Sequence, residues 1–257
     1  MMINNPNQPT VKDPLKKLYR KGLVENPSHH TFLKHRDTAL LCIDFQYLDA
    51  ASGYGVFKDV ESAGIPREYQ EYYFRTLQER VFPNVGRLQK AFRDSGLEVI
   101  HTRIQSLTAD GRDRSKGHKR LNLLARPGSK EAEFIEAVAP TGDEIIINKT
   151  ASGVFSSTNL HYVLNNMKID GLFITGVYTN ECVETTVRGA SDLGYLVTLV
   201  EDACTTVTED LHRASIKTLR NRYARIMTTD EAIEDIKAVL GDELSEKNHP
   251  EREMVGF

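Results

Sequence analysis

The chain has no tryptophan, only three cysteines and no apolar run that approaches the length of a membrane span. Each shortage excludes something. Cys42, Cys182 and Cys204 are too few and too far apart for a disulfide framework, and their spacing matches no zinc site. They suit a reducing compartment, and a cytoplasmic location is expected. The opening MMINNPNQPTVKDP lacks the apolar core of a secretion signal. Charge of either sign is not in excess: 33 Lys and Arg against 36 Asp and Glu give a formal −3. That balance gives no ground for nucleic acid or a membrane surface as a partner. Nor is there an internal repeat of solenoid period. What remains is a 257-residue chain, 40% hydrophobic. That suits one large α/β domain or two small ones, with a core that needs no staples.

The stretch that organises the chain is residues 171–204, GLFITGVYTNECVETTVRGASDLGYLVTLVEDAC. Its apolar run at 172–177 is short, partly β-branched and bounded by glycine, as a fully covered parallel strand should be. From 181 to 193, Cys182, Val183, Thr186, Val187, Ala190 and Leu193 recur at helical spacing, with Thr179 or Asn180 as N-cap and Gly194 as the stop. A second strand follows at 195–200, and then a strand-end loop, EDACTT. The unit is βαβ. It sets Cys182 in the first turn of a helix at the C-terminal edge of a parallel strand, where α/β sheets bind ligands. Helix-terminal N–H groups there stabilise a thiolate and can hold an oxyanion. The stretch alone leaves open whether Cys182 is a nucleophile or a small buried apolar residue.

The rest of the chain reads in the same way. Residues 38–43, TALLCI, form a continuous apolar strand ending at Asp44-Phe45-Gln46, and 97–102, LEVIHT, form another after an amphipathic helix at 84–95. A short strand, EIII, ends at Asn148-Lys149, and a weaker one is expected at 223–228. Residues 47–81 are long for a connection, with a helix around 69–74, and suit a lid or a subunit contact. The expected fold is α/β, a three-layer α/β/α sandwich around a six-stranded parallel sheet. It divides into an N-terminal arm (1–37, solvated or packed on a partner subunit), the domain (38–240) and a charged C-terminal tail (241–257). His101 and His118 fall in no ligand spacing, so structural roles are expected, with no metal and no cofactor.

Asp44, Lys149 and Cys182 thus each follow a buried strand at one edge of one sheet. A nucleophilic thiol needs a group to take its proton and a cation to favour its anion. Asp44 supplies the first and Lys149 the second, and Asp44 can return the proton to a departing amine.

On three segments the chain resembles the isochorismatase-like cysteine hydrolases: ALLCIDFQ, IINKTASGVFSSTNL and ITGVYTNECVETTVRGASDLGYLVTLVEDAC. The resemblance implies an Asp44–Lys149–Cys182 triad and a cis peptide at Val177–Tyr178. It also implies an oxyanion hole built from the backbone N–H groups of Tyr178 and Cys182. Where nicotinamidases of that family carry an Asp-x-His metal motif, this chain reads HTRIQSLTADGRD, so no such metal site is expected. The polar loop looks more like the branch that cleaves ureido and carbamoyl compounds. The implied activity is hydrolysis of a small urea-like amide, of biuret or triuret type, through a thioester. Alternatives are another carbamoyl compound such as N-carbamoylsarcosine or ureidoacrylate, with Arg103 or Arg112 as the cation for its carboxylate, an isochorismatase, or a non-catalytic binding module. Phe45, Phe155 and Tyr178 are candidates to line the pocket, and Gln46, Asn180 and Thr205 to bind substrate amides. The expected partners are a small-molecule substrate and further copies of the chain, as a homodimer or homotetramer.

Overall fold

A computed structural model describes residues 14–59 and 64–244. Its strands are β1 (Thr38–Ile43), β2 (Glu98–Ile104), β3 (Ile145–Lys149), β4 (Gly171–Val177), β5 (Leu196–Thr205) and β6 (Arg225–Met227). They form one parallel sheet in the order β3-β2-β1-β4-β5-β6. This is the expected α/β fold. Every residue of β1 and β4 is buried, because helices cover both faces of the sheet centre. The pleat sends alternate β1 residues to opposite cores. Ala39, Leu41 and Ile43 pack with the helices Leu160–Asn166, Glu184–Asp192 and Glu209–Leu219. Leu40 and Cys42 pack with Ser28–His35, Phe82–Asp94 and Thr229–Leu244 on the other side.

Several elements differ from the sequence reading. Residues 201–205, expected as a loop, continue β5. The pairing jumps from Ile174↔Leu199 to Gly176↔Cys204, so a bulge absorbs the extra residues and keeps the ladder going to Thr205. The segment 67–94 is nearly one helical rod, Arg67–Thr76, a π turn at Leu77–Val81, and Phe82–Asp94. The π turn abuts Pro83, which has no N–H to continue the regular ladder. The N-terminal arm is neither free nor purely solvated from residue 14 on. Its Ser28–His35 helix buries Leu33 and packs against β1, β4 and the last helix, with His30 Nε2 at 2.9 Å from Asp235 Oδ1. The last helix, Thr229–Leu244, runs past the expected domain boundary at 240. Residues 1–13 of the arm and 245–257 of the tail lie outside the described residues.

The site end of the sheet depends on one glycine. Gly176 has φ +150°, and a Cβ there would lie 2.5 Å from both the carbonyl oxygen and the Cβ of Ile43 on the neighbouring strand. Both neighbours belong to the rigid centre of the sheet, so neither can yield cheaply. Gly176→Ala is expected to lower the unfolding free energy by about 1–3 kcal/mol, as overpacking does. A urea titration measures it, and an unchanged midpoint would contradict the close approach of β1 and β4.

Candidate active site

Three strand ends meet where the strand order reverses, at the junction of β1 and β4, the usual crevice of an open parallel sheet. Asp44 follows β1 and takes φ +57°, a left-handed conformation that aspartate tolerates better than most residues. Its backbone N–H donates to the Thr102 carbonyl (3.1 Å), and the Thr102 hydroxyl donates to its Oδ1 (3.3 Å). Lys149 ends β3, two strands away, and its long stem lets the ammonium reach past β2. Nζ lies 2.8 Å from Asp44 Oδ2 as an ion pair, and donates to the Ala151 carbonyl (3.0 Å) and to Cys182 Sγ (3.3 Å). Cys182 lies in a π turn, Thr179–Val183, that runs straight into the Glu184–Asp192 helix. The Val177–Tyr178 peptide that leads into this turn is cis. Asp44 and Lys149 have no solvent exposure, and Cys182 is 4% exposed.

Burial dominates the charges. It pushes the Cys182 thiol well above the usual value; Lys149 pulls it down, and Asp44 pushes it up again. Burial likewise raises the Asp44 carboxyl, against the opposing pull of Lys149. For Lys149, burial alone would discharge the ammonium, but Asp44 and Cys182 outweigh it and the group ends above its ordinary value. The Asp44–Lys149 ion pair thus stands beside a thiol whose burial favours the protonated form. Lys149 holds the anion that this set carries, whether on oxygen or on sulfur.

Cys182 opens onto a cavity of about 160 Å³. Tyr178, Thr206, Val207, Ile104, His118 and Leu123 are among the residues that line it. Of the residues expected to contact substrate, Tyr178 lines this cavity. The others lie elsewhere. Phe45 is buried in the opposite core, edge-on to Phe82. Gln46 is fully buried and spent on the protein: its amide donates to the carbonyls of Ile104 (2.9 Å) and Glu131 (2.8 Å), and its Oε1 accepts from the Ile104 N–H (2.5 Å). Phe155 stacks on Tyr195. Thr205 is fully buried, and the wall passes to its neighbour Thr206, whose hydroxyl donates to Asn180 Oδ1 (2.5 Å). Arg103 is held by Asn148 Oδ1 (2.7 Å) and the Ala132 carbonyl (2.9 Å), and Arg112 pairs with Asp110 in solvent. Neither arginine lines the cavity.

Two acidic residues that the sequence reading passed over do line it, Asp49 and Glu181. Glu181 adjoins the cysteine, a position that was a signal in itself. Asp49 lies in the short helix Tyr47–Ala50 and read only as part of a connection. His101 is buried against Glu144, Nε2 to Oε2 3.0 Å. Among the described residues no three His, Cys, Asp or Glu side chains gather as a metal site, and no helix is long and apolar enough to cross a membrane.

The Isochorismatase domain matches residues 38–231. A curated relative, the uncharacterized isochorismatase family protein YrdC of Bacillus subtilis, is 30% identical over 163 residues, 59% of this chain and 81% of its own. Ureidoacrylate amidohydrolase RutB of Acinetobacter baylyi is 25% identical over 214 residues, 77% of this chain and 82% of its own. Among solved structures, a cysteine hydrolase from Pseudomonas syringae pv. phaseolicola superposes with a TM-score of 0.65 at 23% identity, covering 91% of this chain and 99% of its own.

Removing the cation tests the electrostatics. Lys149→Met leaves Asp44 buried without its partner and is expected to lower stability by about 3–5 kcal/mol near neutral pH. In that variant Asp44 has a folded pKa far above its unfolded one, so protonation favours the folded state. The deficit should therefore shrink as pH falls from 7.5 to 5. Urea titrations at the two pH values check this; a deficit that grows on acidification would refute the ion pair.

Proposed function

We propose a cysteine-dependent amidohydrolase that cleaves a C–N bond of a small urea-like amide, and the premise is that this chain belongs to the isochorismatase family. The observation that carries the reading is the contact set around one sulfur: Lys149 Nζ at 3.3 Å from Cys182 Sγ and 2.8 Å from Asp44 Oδ2, beside a cavity. In the proposed mechanism Asp44 takes the thiol proton as Sγ attacks the substrate carbonyl. The backbone N–H groups of Tyr178 and Cys182 hold the tetrahedral oxyanion. As the C–N bond breaks, Asp44 gives its proton to the leaving nitrogen, which departs as ammonia or an amine. Asp44 then takes a proton from water, whose oxygen attacks the thioester. The acid leaves, and the proton returns to sulfur.

The size of the cavity favours a substrate of few atoms, of biuret or triuret type. A dry cavity of about 150 Å³ holds a molecule as small as benzene. The likeness to a ureidoacrylate amidohydrolase favours a second reading, a ureido compound that carries a carboxylate. Ammonia release from biuret, triuret, ureidoacrylate and N-carbamoylsarcosine ranks the candidates.

Cys182→Ser is expected to keep the fold and to lower turnover by roughly four orders of magnitude or more, as loss of a nucleophile does. Acid-quenched wild type should show the acyl mass on the Cys182 peptide. Because Asp44 must be ionised to accept the proton, and burial raises its pKa, kcat/KM should fall as pH drops through a value above the usual carboxylate range. Undiminished turnover by the serine variant would reject covalent catalysis.

A further inference from the structure

The cavity beside Cys182 holds buried polar atoms that the mechanism does not use. Asp49 is 3% exposed, lines the cavity, and its Oδ2 has no protein partner. Its backbone carbonyl is fixed by two tyrosine hydroxyls, from Tyr73 (2.8 Å) and Tyr178 (3.1 Å). The residue is thus held from behind while its carboxyl is left unspent. His118, 4% exposed on the same lining, has Nδ1 without a protein partner. A buried polar atom left unpaired costs about 1–3 kcal/mol, so such atoms are expected to meet a ligand. Glu181 stands at the exposed mouth of the same cavity.

We propose that Asp49 reads the carbamoyl end of the substrate while Glu181 turns carboxylates away, so that the site selects neutral, N–H-rich ureides of about biuret size. The inference rests on the hydrolase reading for its substrate class, but it concerns recognition rather than bond cleavage. A carboxyl and a terminal carbamoyl group are complementary. The carbamoyl N–H donates to one carboxyl oxygen, and a protonated carboxyl donates back to the carbamoyl oxygen. Asp49 is suited to the protonated form, since burial, followed by the nearby Asp44 carboxylate, raises it well above the ordinary value. A carboxylated ureide would need a cation in its place. Lys149 is engaged with Asp44 and Cys182, Arg103 and Arg112 are elsewhere, and burial lowers His118 to about 4, which leaves it neutral. The lining therefore offers acceptors to N–H groups and like charge to a carboxylate.

The test uses binding and turnover separately, with biuret and N-carbamoylglycine as matched probes of similar length. Calorimetry on Cys182→Ser reads recognition without chemistry. It should show biuret bound at least tenfold more tightly than N-carbamoylglycine. Adding Asp49→Leu should weaken biuret at least tenfold, whereas Asp49→Asn, which keeps one donor and one acceptor, should stay within about threefold. Melting curves check that each variant is folded. Glu181→Gln, at an exposed position, should narrow the preference at least threefold by improving N-carbamoylglycine. Equal affinity for the two probes, binding of neither, or a preference unmoved by Glu181→Gln would overturn the proposal. Selective binding of biuret with no ammonia release by wild type would support recognition and overturn the hydrolase reading. Hydrolysis of both probes with equal kcat/KM would do the reverse.

Discussion

A lysine ammonium with no solvent exposure is the constraint on which the site depends. An isolated charge of that kind would lose its proton rather than stay buried. Lys149 keeps it because Asp44 supplies the opposite charge at 2.8 Å. The arrangement carries no net charge while the thiol is protonated. It still carries none after the proton has moved from sulfur to carboxylate, since the anion has only changed atoms beside the same cation. A buried thiol that is hard to ionise alone therefore poses no barrier of the same size to internal transfer. Buried ion pairs are weak contributors to stability compared with apolar packing. The chemistry, more than the fold, has a use for this one.

The topology explains why three distant residues can share one sulfur. In the order β3-β2-β1-β4-β5-β6, the crossovers run outward in opposite directions from β1 and β4, and the loops part there. Asp44 and Cys182 come from these two central strands. Lys149 comes from the edge strand, two places away, and a long flexible side chain is the only basic kind that closes that gap without a loop. Gly176 lets β4 come close enough to β1 to set the distance. Gln46 ties the end of β2, whose Ile104 lines the cavity, to the backbone at Glu131 through three hydrogen bonds. A residue that looked like a substrate ligand is a strut, which matters because a cavity of this size has no room for loose walls.

What was legible in the sequence follows the physics of each signal. β1 and β4 are unbroken apolar runs because both faces are covered, and glycine and polar residues mark their ends. The sheet and the three strand-end residues could therefore be read directly. The continuation of β5 could not, because the polar Glu201 and Asp202 sit in a bulge that breaks the apolar pattern. The helical rod at 67–94 was obscured by Pro83, whose usual role is to start a helix rather than to sit beside a π turn. Substrate contacts were least legible. Phe45 and Gln46 follow Asp44 directly, yet past the left-handed turn at Asp44 both are buried and neither lines the cavity. Asp49 reaches the cavity because a short helix brings it round, and no local pattern announces that.

The nucleophile and the wall around it therefore set different properties. In the proposed mechanism any accessible amide carbonyl would satisfy Cys182, Asp44 and Lys149, so the three by themselves would select nothing. Apolar neighbours such as Ile104 and Leu123 discriminate weakly, since a misfit methylene is worth only about 1–3 kcal/mol. A buried polar atom that must be paired discriminates far more steeply, because the wrong ligand leaves it without its hydrogen bond. In this cavity the atoms of that kind are Asp49 Oδ2 and His118 Nδ1. On the proposed reading, selectivity turns on one carboxyl group, whose backbone carbonyl is held by two tyrosines and which comes from a segment outside the strand ends.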